Sequence, residues 1–541
     1  MTVYSQEPPP SQAMPANRPP RKHSALYVIA AVLVGLCLFL ILDRDSFVHG
    51  MIYGNVPFSW DNVLISLKDY GYWLFVLYVI STAVVLFLEN RNPDRTLAWL
   101  LVLALLPVVG FALYWLVGPN FRYMADRRRF RLPKPRAIVP PHVKIEDFSP
   151  MLTDTALLMY RTAGAHLINA SKSSPLYEGT EAFARIRKRL GSAKRYILLE
   201  SYIIENDRTG NDIKDILVER ARAGVFVCVI YDAVGSWKIG KPYINALRDG
   251  GVHAFPFLPV AFPMFRGANY RNHRKIIVVD GETAYMGGMN IGDEYAGISP
   301  KYARWRDTHL EFGGQAVETL RSVFLNDLAA CCRDKKLVET ARELPGPETG
   351  KHIWDGASVV PAQIIASGPD TPWDTIHKAY LSVISRSRKT LWITSPYLVP
   401  GDALMEAICM ASLSGVDVRL ILPAKADHII VHWASMNCLD ELLRAGVRVF
   451  LYDIKGFIHA KTIVSDGELL SVGSANLDTR SLRINFEIQA FLYDKTLAEE
   501  GERVFEADMA NSRELTFMSW RGRSALEKVK ESVGKLFSSL L

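Results

Sequence analysis

The pattern of apolar and polar positions changes near residue 119. Before that point lie three apolar runs without charged residues, at 25–42, 71–88 and 97–117. Each is close to the ~20 residues that a helix needs to cross a bilayer, which predicts a membrane region over 25–118. After it, a basic linker over 119–150 leads into a long region where short apolar runs alternate with amphipathic stretches.

The N-terminal end predicts a tail followed by an anchor. Residues 1–24 are Pro-rich and have no apolar period, which predicts disorder. The first apolar run follows basic residues, as a signal peptide does, but no small-residue cleavage site comes after it, so we favour an uncleaved anchor. The segment ENRNPDRT between the second and third runs is short, which predicts a helical hairpin.

Beyond residue 150, stretches with helical spacing of apolar residues alternate with short apolar runs typical of strands. Helical spacing is seen in AFARIRKRLGSA, GNDIKDILVERARAG and KPYINALRDGG, and short β-branched runs in RYILLESYII, VFVCVIYDA and HRKIIVVDG. With 49% apolar residues, the chain can bury large cores. The alternation predicts an α/β fold with two sandwiches, each built on a buried, largely parallel sheet.

This region is an internal duplication. HRKIIVVDG at 273–281 returns as HAKTIVSDG at 459–467, and MGGMN returns as VGSAN in the same register. Upstream, RAGVFVCVIYD corresponds to LSGVDVRLILP, and ILLESYII to LWITSPYLV. We therefore divide the region into repeat 1 over 151–345 and repeat 2 over 346–541, the latter ending in an amphipathic helix.

The motif HxKxxxxD occurs once in each repeat. It supplies six candidate catalytic residues: His273, Lys275, Asp280, His459, Lys461 and Asp466. Side chains alternate along a strand, so the His and the Lys share a face and the Asp lies on the other. The Asp precedes a Gly and is expected to fix a turn. If the two repeats face each other, both His/Lys sets contact one ligand.

Two imidazoles and two ammonium groups in one pocket suit a phosphodiester. The lysines would neutralise its non-bridging oxygens, and Asn290, Asn476 and Ser474 would support them, without a metal or cofactor. One neutral imidazole attacks phosphorus and the other, protonated, releases the alkoxide, which predicts a bell-shaped pH profile. Asp307 and Glu487 are candidates to hold the second ring nitrogen; the alternative is that they are ordinary surface carboxylates.

The net charge of +7 is concentrated beside the membrane region. Residues 122–136 contain seven basic residues and one acidic residue, or +6, which leaves +1 for the remaining chain. A nucleic-acid groove needs its charge in the catalytic region, so no nucleic-acid partner is predicted. The cluster indicates attraction to anionic headgroups, a topology signal or both, and predicts a cytoplasmic catalytic region. Three spans would then place the N-terminal tail, with its three basic residues, outside the cell, although basic residues near span ends favour the cytoplasmic side. Either the run at 25–42 is not a full span, or this weaker signal does not decide the orientation.

Cysteine and histidine patterns give no metal site. The six cysteines show no CxxC spacing, so buried free thiols are expected. His428 and His432 could share a helix face as metal ligands do, but no carboxylate pattern accompanies them. We expect a packed or hydrogen-bonded histidine pair.

The doubled HxKxxxxD motif, with its trailing Gly and Asn, resembles the phospholipase D superfamily. The likeness runs from about residue 71 to the C-terminus and is closest to bacterial cardiolipin synthases, through RTLAWLLVLALLPVVGFALYWLVGPNFR, ESYII, WRDTHLEF and GSANLDTRSLRINFE. It implies N-terminal transmembrane helices followed by two tandem phospholipase D-type α/β sandwich repeats that share one active site.

The resemblance also implies a reaction. One phosphatidylglycerol would give its phosphatidyl group to the enzyme as a phosphohistidine, and a second would accept it to form cardiolipin in the bacterial inner membrane. In the superfamily the histidine of the first motif is commonly the nucleophile, which assigns that role to His273 and the acid–base role to His459. A phospholipase D hydrolase uses the same residues with water as acceptor. A membrane-tethered nuclease fits the nearly neutral catalytic region less well.

Two further segments are candidates for lipid contact. FPFLPVAFPMFRG at 255–267 is an apolar approach to the first motif, or else a loop folded over the core. In the C-terminal helix, Leu526, Val529 and Val533 lie at helical spacing among lysines, which fits either a membrane surface or packing on the domain. The sequence does not indicate the acceptor lipid or the oligomeric state.

Overall fold

The computed structural model describes residues 93–106, 110, 149–259, 269–346, 359–371, 373–425, 427–452 and 455–536. The chain divides into two compact units, residues 1–124 and 125–541. In the first unit the structure describes helix α1 (Pro93–Leu105). The predicted spans at 25–42 and 71–88 lie outside the described residues, and 97–117 lies only partly within them. Across the described ranges, no helix combines the length and apolar character needed to span a bilayer.

Repeat 1 contains the following elements: α2 (Pro150–Ala163), β1 (Ile168–Glu178), α3 (Gly179–Gly191), β2 (Tyr196–Ser201), α4 (Arg208–Arg222), β3 (Phe226–Asp232), a 3-10 turn (Trp237–Ile239), α5 (Gly240–Asp249), β4 (His253–Phe257), β5 (Ile276–Val279), β6 (Thr283–Gly287), β7 (Trp305–Gly314), α6 (Gln315–Cys331) and α7 (Lys335–Glu343).

Repeat 2 contains the following elements: β8 (Val359–Ser367), α8 (Thr375–Arg386), β9 (Thr390–Thr394), β10 (Leu398–Val399), α9 (Asp402–Leu413), β11 (Asp417–Pro423), α10 (Ile429–Arg444), β12 (Arg448–Tyr452), β13 (Phe457–Ile458), β14 (Thr462–Ser465), β15 (Leu469–Gly473), β16 (Leu477–Asp478), α11 (Thr479–Arg483), β17 (Glu487–Leu492), α12 (Lys495–Ala510), β18 (Ser512–Leu515), α13 (Phe517–Arg521) and α14 (Ala525–Leu536).

A single 16-stranded sheet joins the two repeats. Its order is β18-β12-β11-β9-β14-β15-β17-β8-β1-β7-β6-β5-β2-β3-β4, with β13 paired to β7. The strands β8 and β1 are antiparallel neighbours at the centre. Apart from β18 and β13, the order on one side of this pair mirrors the order on the other, so the duplication in the sequence is also a duplication in the fold. The two predicted sandwiches are thus joined through one continuous sheet.

The prediction of largely parallel sheets is wrong. In each repeat one set of three neighbouring strands is parallel, β2–β3–β4 and β9–β11–β12. Two short pairs, β7–β13 and β10–β16, are also parallel. The remaining pairs are antiparallel. The cause lies in the motif itself, because its Asp-Gly pair folds β5 back on β6 and β14 back on β15. Antiparallel strands need only such a tight turn, whereas parallel strands need a long crossover.

Asp280 and Asp466 hold these turns in place. Their φ angles are 56° and 55°, and the glycines that follow are also left-handed. Asp and Gly tolerate that region better than other residues. The Asp280 carboxylate accepts hydrogen bonds of 2.7 to 3.2 Å from the backbone N–H groups of residues 194–196. Asp466 does the same with residues 388–390, at 2.7 to 3.1 Å. Each carboxylate therefore fixes the chain entering the neighbouring strand, away from the motif's His and Lys.

The cores lie between the sheet and its helices. In repeat 1, residues of β2, β3 and β5 pack against α3 and α4 around Phe183. In repeat 2, β9, β11 and β14 pack against α8, α9 and α10. Helix α2 lies at the start of the segment that we assigned to repeat 1 but packs on repeat 2, where Ala156 and Met159 belong to the core. There the Gln363 side-chain amide donates to the Ala156 carbonyl at 3.1 Å.

The C-terminal helix α14 is present and packs on α10. Gly534 lies so close to Trp433 that a Cβ on it would come within 2.8 Å of the tryptophan. The inner face also carries Glu531, which pairs with Arg523 at 3.3 Å. The apolar stripe points outward, with exposures of 40 to 64%: Leu526, Val529 and Val533. Packing on the domain is therefore accomplished by small and charged residues, not by the stripe. Of the apolar approach at 255–267, the structure describes 255–259.

The turn geometry makes a prediction about stability. Asp280→Ala is expected to lower the free energy of unfolding by about 2–4 kcal/mol, because three backbone N–H groups lose a buried acceptor. The measurement is chemical unfolding of the purified full chain in detergent. Asp249→Ala, at an exposed position, is the matched control and should change stability by less than about 0.5 kcal/mol. Equal effects of the two substitutions would contradict this role for Asp280.

Candidate active site

The first motif histidine lies where repeat 1 crosses onto repeat 2. The predicted strand begins at His273, but β5 begins only at Ile276. The preceding residues leave the sheet, and Asn272 forms a parallel bridge with Phe486. The His273 N–H donates to the Phe486 carbonyl at 2.9 Å. A backbone hydrogen bond from the other repeat therefore fixes the position of His273.

The second motif histidine makes the reciprocal crossing. Strand β13, just before it, pairs with β7 at Trp305 and Arg306 of repeat 1. The His459 N–H donates to the Arg306 carbonyl at 2.7 Å. Because Arg306 and Phe486 are each followed by an acidic residue, both crossings deliver a histidine next to a carboxylate of the other repeat.

The carboxylates hold the histidines in a crossed arrangement. His273 Nδ1 lies 2.9 Å from Glu487 Oε2, and His459 Nδ1 lies 2.7 Å from Asp307 Oδ2. Both carboxylates are fully buried. With Nδ1–H donating to a carboxylate, Nε2 of each ring keeps its lone pair for a substrate. Asp307 and Glu487 are thus buried partners of the motif histidines and not surface residues.

The serine of repeat 2 supports this arrangement. The Ser474 hydroxyl donates to Glu487 Oε2 at 2.5 Å and accepts from the Ile488 N–H at 3.0 Å. Its counterpart in repeat 1 is Gly288, where a Cβ would come within 2.1 Å of Asp307 Oδ1. The mismatch between Ser and Gly in the duplicated motif therefore follows from how closely the carboxylate approaches the backbone.

The motif lysines are buried beside the histidines. Lys275 Nζ donates to the His273 carbonyl at 2.7 Å, and Lys461 Nζ donates to the His459 carbonyl. Burial lowers the pKa of Lys275 to about 7 and that of Lys461 to about 8. Lys461 also lowers the pKa of Lys275, so the two motifs lie within electrostatic reach of each other.

The histidine pKa values are lowered as well. Burial, opposed by Glu487, brings the pKa of His273 to about 4. Burial and Lys461, opposed by Asp307, lower the pKa of His459. Burial alone would raise the pKa of both carboxylates, but the neighbouring lysines and histidines outweigh it and hold the values below normal. The free site therefore favours neutral imidazoles and ionised carboxylates.

The two asparagines lie at the end of the second strand of each hairpin. Asn290 Oδ1 accepts from the Ile203 N–H at 3.2 Å, which orients its amide. Asn476 is 5% exposed, and its Oδ1 has no hydrogen-bond partner among the described residues. Both side chains are buried.

Sequence reasoning missed several aromatic and imidazole neighbours of this site. Tyr202 packs edge-on against His273, with centroids 4.7 Å apart. Trp305 packs against His459 at 5.3 Å. His309 is buried with a pKa lowered to about 4, and its Nδ1 has no partner in the described chain. Side-chain alternation along β7 would have predicted His309 as a neighbour of the site, since it lies two residues after Asp307 on the same face of the strand.

The candidate metal pair does not form a metal site in the described chain, where no group of three or more His, Cys, Asp or Glu residues is arranged to hold an ion. His428 immediately precedes α10. His432 lines a cavity with Tyr397, Lys425 and Asp427.

These features together define a phospholipase D-like site in which each repeat supplies the carboxylate that pairs with the motif histidine of the other repeat. The family model for the cardiolipin synthase PLD-like domain matches residues 186–297 and 380–509, one segment in each repeat. The model for the phospholipase D-nuclease N-terminal region matches residues 76–119. Phosphatidylserine synthase from Haemophilus influenzae has a TM-score of 0.53 at 16% identity, over 71% of this chain and 97% of that one. That likeness shows a shared fold.

Relatives with higher sequence identity identify the family of this chain. A cardiolipin synthase of Halalkalibacterium halodurans is 39% identical over 486 residues, covering 86% of this chain and 93% of that protein. A cardiolipin synthase of Geobacillus kaustophilus is 40% identical over 539 residues, covering 96% and 100%. The chain therefore belongs to the cardiolipin synthase family of phospholipase D-type phosphatidyltransferases.

The crossed arrangement is testable by double-mutant cycles. We expect His273→Ala and Glu487→Gln to be coupled by about 1–3 kcal/mol in unfolding free energy, because they remove the two ends of one charge-assisted hydrogen bond. His273→Ala and Asp307→Asn should be additive within about 0.5 kcal/mol. Coupling of His273 to Asp307 in its own repeat, and not to Glu487, would contradict the crossing.

Proposed function

We propose that this chain is a membrane-bound cardiolipin synthase that joins two phosphatidylglycerol molecules through a phosphohistidine intermediate. The observation that carries the proposal is the crossed pair of imidazoles, each with Nδ1 bound to a buried carboxylate and with a buried lysine beside it. The named activity of the relatives supports the choice of lipid.

In the first step, Nε2 of His273 attacks phosphorus of one phosphatidylglycerol. The bond between phosphorus and the headgroup oxygen breaks, and His459, as imidazolium, gives its proton to the departing glycerol. Lys275 and Lys461 neutralise the non-bridging oxygens. The pKa of His459 is lowered in the free site, and the negative charge of the bound phosphodiester opposes that effect, which favours the protonated ring when it is needed.

In the second step, His459 accepts the proton of a primary hydroxyl on a second phosphatidylglycerol. The hydroxyl oxygen bonds to phosphorus while the phosphorus–nitrogen bond to His273 breaks. Cardiolipin leaves, and His459 is again protonated for the next cycle. Both motif histidines are at most 8% exposed, and a site this closed favours a lipid alcohol over water as acceptor.

The membrane location rests on the sequence. The three apolar runs and the basic cluster at 122–136 support a multi-pass protein with a cytoplasmic catalytic region. The basic cluster accounts for +6 of the net charge of +7, so the rest of the chain carries a net charge of only +1. A nuclease would need its positive charge in the catalytic region, so this distribution argues against one. A hydrolase shares every catalytic residue, so only the products distinguish it.

Purified full-length protein with labelled phosphatidylglycerol should form cardiolipin and glycerol. His273→Ala and His459→Ala should each reduce turnover at least about 1,000-fold, because nucleophile and acid–base group act as a unit. A rapid quench in neutral denaturant, which preserves the acid-labile phosphorus–nitrogen bond, followed by mass spectrometry without acidification, should find the phosphatidyl group on the peptide containing His273. Phosphatidic acid as sole product would indicate a hydrolase, and an adduct on the His459 peptide would reverse the two roles.

The pH dependence of kcat/KM should be bell-shaped in the free enzyme. The acid limb should lie near pH 4, where His273 becomes neutral, and activity should fall as His459, with a pKa below its usual 6.5, loses its proton. Glu487→Gln removes the group that raises the pKa of His273 and should move the acid limb to lower pH. Asp307→Asn should move the alkaline limb to lower pH instead. The opposite assignment of limbs would mean that His459 is the nucleophile.

A further inference from the structure

Two arginines meet beside the catalytic centre, one from each repeat. Arg271 lies two residues before His273, and Arg480 lies in helix α11 of repeat 2. The Arg480 guanidinium donates to the Asn269 side chain at 2.8 Å and also to the Asn269 carbonyl. The Arg271 carbonyl accepts from the Phe486 N–H at 2.9 Å. These bonds hold the guanidinium of repeat 2 against the segment of repeat 1 that carries Arg271.

Arg271 has a positive charge that is poorly neutralised. Its side chain is 5% exposed, and its nearest ion-pair contact is Asp232 at 4.0 Å. Asp232 already accepts backbone hydrogen bonds of 2.8 to 2.9 Å from Val234, Gly235 and Asn272. Nη1 of Arg271 has no hydrogen-bond partner in the described chain. A buried donor without a partner is uncommon in folded proteins and often marks a place where a ligand binds.

Arg480 adds a second positive charge at the same place. Among the described residues no carboxylate lies within ion-pair distance of it, and its hydrogen-bond partner Asn269 is neutral. The nearby Asp478 accepts from the Ser481 N–H at 2.6 Å and caps helix α11. The two guanidiniums therefore have two acidic neighbours, Asp232 at 4.0 Å from Arg271 and Asp478 within electrostatic reach of Arg480, and both carboxylates already accept backbone hydrogen bonds. This leaves the guanidiniums able to bind an anion.

Tyr202 connects this pair to the catalytic centre. Its ring packs on His273, and Lys275 Nζ lies 5.3 Å from the ring centroid. Burial and Asp232 raise the pKa of the tyrosine, and Arg480 and Arg271 oppose the rise. The ring thus contacts the catalytic residues while its hydroxyl is within electrostatic reach of both arginines.

The arginine pair breaks the symmetry of the duplication. In the register that superposes the two motifs, Phe457 corresponds to Arg271 and Glu294 corresponds to Arg480. The basic pair consequently exists once, whereas the His/Lys set exists twice. Cardiolipin formation needs such a difference, since one phosphate is attacked and the other is only carried along on the acceptor.

We propose that Arg271 and Arg480, with the hydroxyl of Tyr202, bind the phosphate of the acceptor phospholipid. The inference rests on the proposed function and adds a second anion subsite to it. Once the lysines hold the attacked phosphate, the acceptor brings another negative charge one glycerol unit away. Guanidinium groups bind phosphate oxygens in a two-point manner that lysine does not offer. The pair would thus select an acceptor alcohol that carries a phosphodiester.

The test compares two reactions of the full-length enzyme that share the donor step. The first is cardiolipin formation from phosphatidylglycerol. The second is exchange of labelled free glycerol into phosphatidylglycerol, in which the acceptor has the hydroxyl but no phosphate. Arg480→Gln should reduce cardiolipin formation about 10- to 100-fold relative to exchange, as expected for loss of a charge-assisted hydrogen bond. Arg480→Lys should recover part of the loss.

Arg271→Gln should act in the same direction, and its thermal unfolding should be compared with wild type to separate misfolding from loss of binding. Arg483→Gln removes a positive charge from the same helix, where Arg483 lies 3.9 Å from Asp374, and should leave the ratio of the two reactions unchanged. An equal fall in both reactions for Arg480→Gln, or no change in either, would overturn the inference. A wild-type enzyme that exchanges glycerol but forms no cardiolipin would overturn the proposed function itself.

Discussion

The hydrogen bonds between each motif histidine and a carboxylate of the other repeat are the constraint on which the rest of the structure depends. Glu487 and Asp307 are fully buried, and an ionised carboxylate is costly to bury unless a partner is present. The partner in each case is supplied across the repeat boundary. The continuous sheet through β1 and β8 and the backbone bonds at Phe486 and Arg306 keep the boundary closed.

The same constraint accounts for the electrostatics of the site. Two lysines and two histidines are enclosed with two carboxylates, so each cation weakens the protonation of its neighbours. An incoming phosphodiester would add the missing negative charge and relieve that repulsion. Substrate binding should therefore be accompanied by proton uptake, because the pKa values of the lysines would rise toward normal. In the proposed mechanism, substrate binding would also favour the protonated form of His459 that acts as the acid.

Much of this arrangement is contained in the sequence. The duplication identified both His/Lys sets, and side-chain alternation separated them from Asp280 and Asp466, which the structure finds at the turns. The parallel sheets were predicted wrongly because alternating helices and strands suggest crossovers, while the Asp-Gly turns make hairpins. The crossed pairing could not be predicted, since His273 and Glu487 are 214 residues apart and no local period records which repeat supplies the partner. Arg271 Nη1, which has no hydrogen-bond partner among the described residues, likewise becomes visible only once its neighbours are known.

The backbone pairings Asn272–Phe486 and β13–β7 join the two repeats in both directions, which suggests an origin of the chain from a dimer. In a single ancestral repeat the histidine and the acid would lack the partners seen here, because each pairs across the repeat boundary. Two copies associated as a symmetric dimer would satisfy both at once. Fusion into one polypeptide would then allow the two halves to diverge in sequence. Arg271 and Arg480 beside Tyr202, which have no basic counterparts in the duplicated register, are an asymmetry that two identical chains could not have.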